Sequence, residues 1–466
     1  MLKYLSIILV FVLASCEGFL VLEPENKISE NSFYKTEADF ETAMIGMYGE
    51  LQVLHDISNL FLTEVTTDNM RITDQLSNPP VDRIECDEAG LTSTNGFVNT
   101  IWGSCMKTIA RSNNILSRID DAGFDQSRKD QYKGESLFLR AYAYFYMVRL
   151  FGEVPVVTVA FRSPEEVAAY DMSRKPVSEV YELIRKDLEQ SAGLLTGVTG
   201  LSKSRASLGA VKTLQGKVYL TLKQYEPAAA ALLEVQQLNR YTLAEDYGQL
   251  FSVGNDELPE SIFEVKYLTG NVGEGNSLTT NFSYGHTIVP TSDMINAYEA
   301  DDLRKDASLA DSLLAADGNY ATYEEKYVRK FYDPTAELQF DGGINVLPLR
   351  YADVLLMYAE ALNETGKTTE ALAFLNQVRE RAGLGDINGL SKAAFALALE
   401  QERRVEFLAE GHRWFDLVRT GRAQAIVNDY FIARGLSFRL EDHELLMPVP
   451  QSERDIDPNL TQNPGY

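Results

Sequence analysis

The stretch AEALNETGKTTEALAFLNQV at residues 359–378 shares its residue spacing with GKVYLTLKQYEPAAAALLEV at residues 216–235. In both, small and apolar residues recur with the period of an α-helix, and a short polar turn interrupts the pattern once. Each stretch therefore predicts two antiparallel helices joined by a tight turn. The equivalent positions are Gly216 and Ala359, Tyr219 and Leu362, Tyr225 and Thr368, Ala228 and Ala371, Leu232 and Leu375, and Val235 and Val378.

This spacing is that of a tetratricopeptide unit, a helix-turn-helix repeat in which small residues let the two helices approach closely. The turns are predicted at Lys223-Gln224 and at Gly366-Lys367. A third, partial unit is predicted to begin at Gly134. Because the two full matches do not adjoin, we expect a mainly α, tetratricopeptide-like helical repeat scaffold, but not a plain solenoid.

Three segments nearer the N-terminus also have helical patterns. Apolar residues recur at helical spacing from Ala38 to Leu54 and from Gly96 to Ile119. The segment from Gly134 to Phe151 is apolar on nearly every side, which is typical of a buried helix. The sequence Gly-Glu-Val-Pro at residues 152–155 is expected to end it.

The region between the two repeats has a different character. Residues 267–290 are rich in Gly, Asn, Ser and Thr, which is typical of loops. Residues 323–332 fit either a helix or a short strand, and residues 341–348 are expected to form a turn that leads into the next helix. The prediction is a body over residues 36–466, with helical repeats over about 36–240 and 346–466 and an inserted lobe of loops and short strands over about 241–345.

The N-terminus has the form of an export signal. Lys3 precedes an apolar run over residues 5–14, which is too short to cross a bilayer, because a spanning helix needs roughly 20 apolar residues. The run ends in Leu-Ala-Ser before Cys16, a bacterial lipobox pattern in which the cysteine thiol carries diacylglycerol. We therefore predict a signal peptide at 1–15, lipid on Cys16, and a tether over 16–35 that packs along the body. The protein would be anchored to a membrane without spanning it.

Composition and charge exclude several classes of protein. The 466 residues are 45% hydrophobic and 24% charged, as in globular proteins with a large core. The net charge of −25 disfavours nucleic acids and anionic lipid headgroups, since both are bound through clusters of Lys and Arg. Besides Cys16, the chain has only Cys86 and Cys105. They could form a disulfide or be two buried thiols, and the sequence leaves both possibilities open.

No motif for catalysis or for a cofactor stands out. The four histidines form no H-E-x-x-H pattern, and there is no C-x-x-C pair and no G-x-S-x-G elbow. We therefore predict no metal and no cofactor, and binding rather than catalysis. A glycan-cleaving enzyme with two well-placed carboxyl groups among the 68 acidic residues is the enzymatic alternative.

Two further features are candidates for a site. The charge-rich residues 400–422 interleave acids with bases, so we interpret them as a pair of helices joined by ion pairs rather than as an anion site. Aromatic rings on loops are more promising, because flat rings pack against the apolar faces of sugars. Tyr284, Tyr323 and Tyr327 fall in the predicted lobe and are candidate ligand contacts.

Several stretches, in order from the lipobox to the last residue, resemble the SusD/RagB family of outer-membrane nutrient-binding lipoproteins. Each is a weak match alone, but their number and order make the resemblance specific. They are CEGFLVLEP at 16–24, ESLFLRAYAYF at 135–145, LFGEVP at 150–155, LRYADVLLMYAEA at 349–361, ERRVEF at 402–407, EGHRWFDL at 410–417 and QNPGY at 462–466.

The resemblance implies a non-enzymatic protein on the outer cell surface that acts with a SusC-like TonB-dependent outer-membrane transporter. Such proteins bind an oligosaccharide, or in some members a peptide, usually through the irregular lobe, and pass it into the transporter. The resemblance also implies ligand contacts at Asp68, Asn69 and Arg71, in an early loop, and at Trp102, near the start of a helix. Only 2 tryptophans are present, few for a starch-binding surface, so the identity of the glycan stays open.

Overall fold

The computed structural model describes residues 33–284, 287–314, 320–336 and 338–466. Cys16 and most of the tether lie outside these residues, so lipid attachment stays a prediction. Helices make up most of the described chain. They are α1 Glu37–Leu54, α2 Ile57–Leu60, α3 Val81–Asp87, α4 Gly96–Leu116, α5 Gln126–Phe151, α6 Pro164–Ala169, α7 Val177–Leu195, α8 Leu208–Thr221, α9 Tyr225–Gln237, α10 Ser292–Asn296, α11 Arg304–Ser308, α12 Tyr351–Glu364, α13 Thr368–Arg381, α14 Lys392–Glu406, α15 Arg413–Thr420, α16 Ala423–Ala433 and α17 Gln451–Ile456.

The strands are short and pair two by two. β1 pairs with β5, β2 with β3, β4 with β8, and β6 with β7, each time antiparallel. Phe61–Val65 and Thr280–Tyr284 form π-helical turns. The strands are β1 Met70–Ile72, β2 Val154–Pro155, β3 Arg174–Lys175, β4 Ser261–Val265, β5 Ile288–Pro290, β6 Leu309–Leu314, β7 Tyr320–Val328 and β8 Val346–Arg350.

The two predicted repeat units are confirmed as the helix pairs α8–α9 and α12–α13, and α9 packs against α12. A Cβ atom on Gly216 would lie only 2.5 Å from Leu232 Cγ, so the absence of a side chain lets α8 approach α9. Both turns use left-handed backbone, with φ +57° at Lys223 and +82° at Gly366. The mainly α, repeat-based fold class is therefore correct.

The long buried helix α5 begins at Gln126, before the predicted start at Gly134, because the Asp125 carboxylate accepts from the backbone N–H groups of Ser127 and Arg128 and caps the helix there. It packs against α7, and the partial third unit corresponds to this pair. A Cβ atom on Gly134 would lie 2.8 Å from Leu195 Cγ, so this glycine again permits close packing. Almost every residue in the second half of α5 is buried, as its apolar pattern predicts.

Residues 241–345, which we call the lobe, contain loops, short strands and the short helices α10 and α11; we call the other described residues the frame. The ambiguous residues 323–332 include strand up to Val328, in a hairpin with β6. The predicted turn over 341–348 is wrong at its end, because residues 346–350 form β8. That strand is buried throughout, so its backbone needs hydrogen-bonding partners, and β4 supplies them.

The charge-rich residues 400–422 form α14 and α15, and their charges are indeed paired. Arg350 Nη1 lies 2.7 Å from Glu260 and its Nε 2.8 Å from Glu410. Arg304 contacts Glu406 at 2.9 Å. All of these side chains are buried, so the stretch is structural, as interpreted. The network joins lobe residues to frame residues.

Cys86 and Cys105 are free thiols, and both are buried. Of the two possibilities that the sequence left open, the structure has the pair of buried thiols. Burial raises the pKa of both thiols above their usual range.

Candidate functional site

The early loop of the frame and the lobe meet along one polar surface. The β1–β5 pairing places Arg71 opposite Val289, and the Thr73 N–H donates to the Thr287 carbonyl at 3.2 Å. β5 also lies beside β7. Polar side chains from these strands and the residues beside them, from α3 and from the π-helical turn form what we call the polar strip. It comprises Arg71, Arg83, Thr287 and Glu325, which are partly exposed, and Thr73 and Asn281, which are buried and support them.

One end of the polar strip centres on a carboxylate that binds two frame residues. Glu325 accepts hydrogen bonds from the Arg71 guanidinium and from the Thr73 hydroxyl. Arg71 also lies 3.1 Å from the carboxylate of Asp74, which is largely exposed. The side chains of Arg71 and Glu325 keep 17% and 20% of their exposure, so both still reach the surface.

The other end is organised by an amide. Asn281 Oδ1 accepts from the Thr287 hydroxyl at 2.8 Å and from Arg83 Nη2 at 3.1 Å. Its Nδ2 donates to the Ser277 carbonyl at 2.9 Å, which fixes the orientation of the amide. The Arg83 guanidinium lies over the ring of Phe61, 5.2 Å from its centroid. The polar strip is therefore preformed.

The balance of charge on the polar strip favours a neutral ligand. Two carboxylates, Glu325 and Asp74, lie against Arg71, and with Arg83 included the two acids and two guanidiniums have no net charge. An anionic ligand would have to compete with both carboxylates for the Arg71 guanidinium. A hydroxyl-rich neutral ligand needs only hydrogen-bond donors and acceptors, and the polar strip offers guanidinium, hydroxyl, amide and carboxylate groups.

Two of the predicted contacts lie beneath this surface. Asp68 is buried and pairs with Arg413 at 2.9 Å and with Arg404 at 2.8 Å. Burial alone would raise the pKa of Asp68, but the two guanidiniums outweigh it and hold the pKa below its usual value. Asn69 is also buried and accepts from Arg404 Nε at 2.9 Å. Both side chains position β1 and do not face a ligand, which corrects the prediction for them.

Glu64 anchors this buried layer. Its carboxylate accepts from Asn69 Nδ2 at 2.8 Å, from the Gly411 N–H at 3.0 Å and from the His412 N–H at 3.2 Å. The residue is completely buried, and burial raises its pKa to about 7 despite these donors. Glu64 thereby ties the loop before β1 to the loop before α15.

Trp102 lies elsewhere, in the core. Only 1% of it is exposed, because it sits on the face of α4 that packs against α5. Its ring meets that of Phe151 edge to face, with centroids 4.9 Å apart. The predicted ligand contact at Trp102 is therefore wrong.

The lobe tyrosines divide into two groups. Tyr327 is buried and its hydroxyl donates to the Ser312 carbonyl at 2.8 Å, across the β6–β7 hairpin, so it is not a surface contact. Tyr284 ends the π-helical turn that holds Asn281, and Tyr323 lies two residues before Glu325 in β7. The backbones of these two residues thus border the polar strip, and their contact with a ligand stays a prediction.

An aromatic residue that the sequence reasoning missed lies beside the polar strip. Phe340 is 59% exposed, and its N–H donates to the Thr280 hydroxyl at 2.8 Å, where the turn holding Asn281 begins. Its backbone is left-handed, with φ +63°. The signal was an aromatic residue in a polar turn, Gln-Phe-Asp-Gly-Gly, with no helical or strand pattern to bury it.

Neither a metal-binding cluster nor a membrane-spanning helix occurs among the described residues. Among them, no three His, Cys, Asp or Glu side chains are grouped so that they could hold a metal ion. No helix within the same ranges is both long and apolar enough to cross a membrane.

The chain is similar to known proteins over its whole length. A model described as "SusD family" matches residues 314–466, and one described as "Starch-binding associating with outer membrane" matches residues 19–220. SusD-like protein P38 of Formosa agariphila is 29% identical, with 99% of this chain and 98% of the relative covered. SusD-like protein P2 of the same organism is 27% identical, with 100% and 99% covered.

Solved structures with the same fold include two at 26% identity. One is a laminarin-binding SusD-like protein, with a TM-score of 0.79, and 93% of this chain and 100% of that one are covered. The other is a SusD superfamily protein from Parabacteroides distasonis, with a TM-score of 0.80, and 94% and 100% are covered.

Proposed function

Because the chain belongs to the SusD/RagB family, we propose that it is a surface lipoprotein of the outer membrane that captures an oligosaccharide and delivers it to a SusC-like TonB-dependent transporter. Two findings support a glycan as the ligand. One matching family model is described as starch-binding and associated with the outer membrane, and a similar solved protein binds laminarin.

The observation that carries the proposal is the polar strip with Phe340 at its side. Neutral sugars are recognised by hydrogen bonds to their hydroxyl groups together with packing of an aromatic ring on an apolar sugar face. Arg71, Arg83 and Glu325, which are all partly exposed, provide the first kind of contact, and the exposed ring of Phe340 provides the second. The carboxylates beside Arg71 argue against an anionic cargo.

Titration calorimetry with a panel of neutral oligosaccharides, laminarin fragments included, tests the ligand. We expect at least one member to bind, and Arg71→Gln to weaken that binding by roughly 10- to 150-fold, since a hydrogen bond to a charged group contributes about 1.5 to 3 kcal/mol. The matched control is Arg422→Gln, which removes an ion-paired arginine of the frame and should leave binding unchanged.

Two outcomes would count against an oligosaccharide cargo. Binding of oligopeptides with no binding of sugars would favour the peptide-binding alternative. Cleavage of the glycan by the purified protein would favour the enzymatic one, so the sugars are analysed for products after each titration.

The anchor and the transporter need separate experiments. The proposed organisation is a signal peptide at 1–15, lipid on Cys16, a tether to residue 35 and a body beyond it. Cys16→Ala should move the protein from the membrane fraction to the soluble fraction. A TonB-dependent barrel should co-purify with the wild-type chain. A membrane-bound Cys16→Ala variant would contradict the anchor, and a chain that purifies alone under mild extraction would contradict the transporter partnership.

A further inference from the structure

A second surface feature differs in character from the polar strip. A groove of about 310 Å³ runs between α4 and the segment 157–161 that follows β2. Its lining is mostly apolar, and Val159 in its wall is 44% exposed. The lining includes Met106, Ile109, Ala110, Val157, Phe161 and Met172. Sugar recognition requires several convergent polar groups, so this groove is not a second glycan site.

The groove is preformed. The Val157 N–H donates to the Tyr144 hydroxyl at 2.7 Å, and the Val157 carbonyl accepts from Asn113 Nδ2 at 2.9 Å. These bonds hold the segment 157–161 at a fixed distance from α4. Exposed apolar surface of this kind is typical of a site that another chain segment covers.

The described chain enters the fold beside one end of this groove. The Arg118 guanidinium lies over the ring of Tyr34, 5.0 Å from its centroid. Arg118 Nη1 also donates to Asn114 Oδ1 at 2.6 Å. Asn114 lines the groove, so two contacts connect the groove to the point where the tether joins the body.

The tether has the right length and composition to fill the groove. Phe19-Leu20-Val21-Leu22 is its apolar run, and eleven residues separate that run from Tyr34. At about 3.3 Å per residue, eleven residues reach roughly 36 Å. The groove extends along α4 from Met106 to Asn114, roughly 12 Å at 1.5 Å per helical residue.

Charge also fits this occupant. Glu23 and Glu25 directly follow the apolar run, and Lys107 lies on the groove lining. We propose that residues 19–22 lie in the groove between α4 and the segment 157–161, so that the tether folds back along the body. This docking involves only residues of the protein chain, so it does not depend on the proposed cargo or on the lipid at Cys16.

Hydrogen exchange with mass spectrometry tests this proposal. The sample is the complete mature chain with Cys16→Ser, so that no detergent competes for the apolar groove. We expect amides of residues 17–32 to exchange at least tenfold faster in the Val159→Glu variant than in the same chain with Val159 intact. Val53→Glu is the matched control, because Val53 is also 44% exposed but lies on α1, outside the groove.

A substitution in the tether should in turn change hydrogen exchange in the groove. Leu20→Asp, which leaves the folded body untouched, should speed exchange at residues 157–161. Equal exchange of residues 17–32 in the wild type, Val159→Glu and Val53→Glu would overturn the proposal. So would protection of the groove that appears only when a partner protein is added.

Discussion

Arg71 on β1 and Glu325 on β7 are 254 positions apart in the chain, and their side chains form an ion pair at the surface where the frame meets the lobe. The Thr73 hydroxyl donates to the same carboxylate. Together with the β1–β5 pairing and the hydrogen bond from Arg83 to Asn281, this carboxylate joins the early loop of the frame to the lobe. The geometry of the polar strip therefore depends on contact between distant parts of the chain.

Glu325→Gln should weaken oligosaccharide binding by roughly 10- to 150-fold. The substitution keeps the shape of the side chain but removes the charge that orients Arg71, and hydrogen bonds to charged groups contribute about 1.5 to 3 kcal/mol. Calorimetric titration measures the effect. Asp311→Asn, at an exposed ion pair with Lys326 in the same β6–β7 hairpin, is the control and should bind like the wild type.

Phe340→Ala should reduce the affinity for the same oligosaccharide roughly two- to tenfold, because aromatic packing contributes about 0.5 to 1.5 kcal/mol. The free energy of unfolding should change by less than about 0.5 kcal/mol, as is usual for exposed side chains. Leu397→Ala removes a comparably exposed apolar residue from α14 in the frame. If both variants bind alike, Phe340 is not part of the site.

Replacing glycine by alanine at two helical positions should change the free energy of unfolding in opposite directions. A Cβ atom on Gly216 would lie 2.5 Å from Leu232 Cγ, whereas a Cβ atom on Gly103 meets nothing within 4 Å. Gly216→Ala should therefore lower the free energy of unfolding by about 1 to 3 kcal/mol, the usual cost of overpacking. Gly103→Ala should raise it by up to about 1 kcal/mol through better helix propensity. Denaturant unfolding measures both, and a stabilising Gly216→Ala would contradict the close approach of α8 and α9.

Glu64 should make the protein less stable as the pH rises. Its pKa is about 7 in the folded state and 4.5 is its ordinary value. Between these values the unfolded chain releases the proton and the folded chain keeps it, so stability that is present below pH 4.5 is lost as the pH approaches 7. With about 1.4 kcal/mol for each unit of pKa, the loss is on the order of 3 kcal/mol.

Comparison with Glu64→Gln isolates that contribution, because glutamine does not titrate. Relative to the wild type, the variant should gain stability from pH 4.5 to about pH 7 in urea unfolding, and the difference should level off above that pH. Glu226→Gln, at an exposed position of α9, is the control, and its free energy of unfolding should differ from that of the wild type by a constant amount across the same pH range. If the free energies of unfolding of Glu64→Gln and the wild type differ by the same amount at every pH, the pKa of Glu64 is not raised in the folded state.

The sequence predicts the frame better than the site, and the reason is physical. The pattern around Gly216 is local, since helix period, small residues and turn all lie within twenty positions. The side of α4 that Trp102 occupies depends on where α5 packs, and nothing in the local sequence records that contact. The partner of Arg71 lies in another part of the chain, so the ion pair with Glu325 could not be read from spacing.

Strands and loops were predicted less well for a related reason. Residues 346–350 have no alternating pattern, because both faces of β8 are buried, and only the pairing with β4 explains them. Phe340 belongs to no repeating pattern at all. Asp68 and Asn69 were predicted to contact the ligand, but both are buried, and the guanidiniums that bind them come from α14 and α15.

The buried ion network has a practical consequence for protein engineering. Glu260, Arg304 and Lys330 belong to the lobe, and their partners Arg350, Glu406 and Glu410 belong to the frame. Producing either part alone would leave buried charges without partners, which costs several kcal/mol for each ion. A chimaera that takes its lobe from a relative to change the cargo must therefore carry both halves of this network, or replace both with apolar residues.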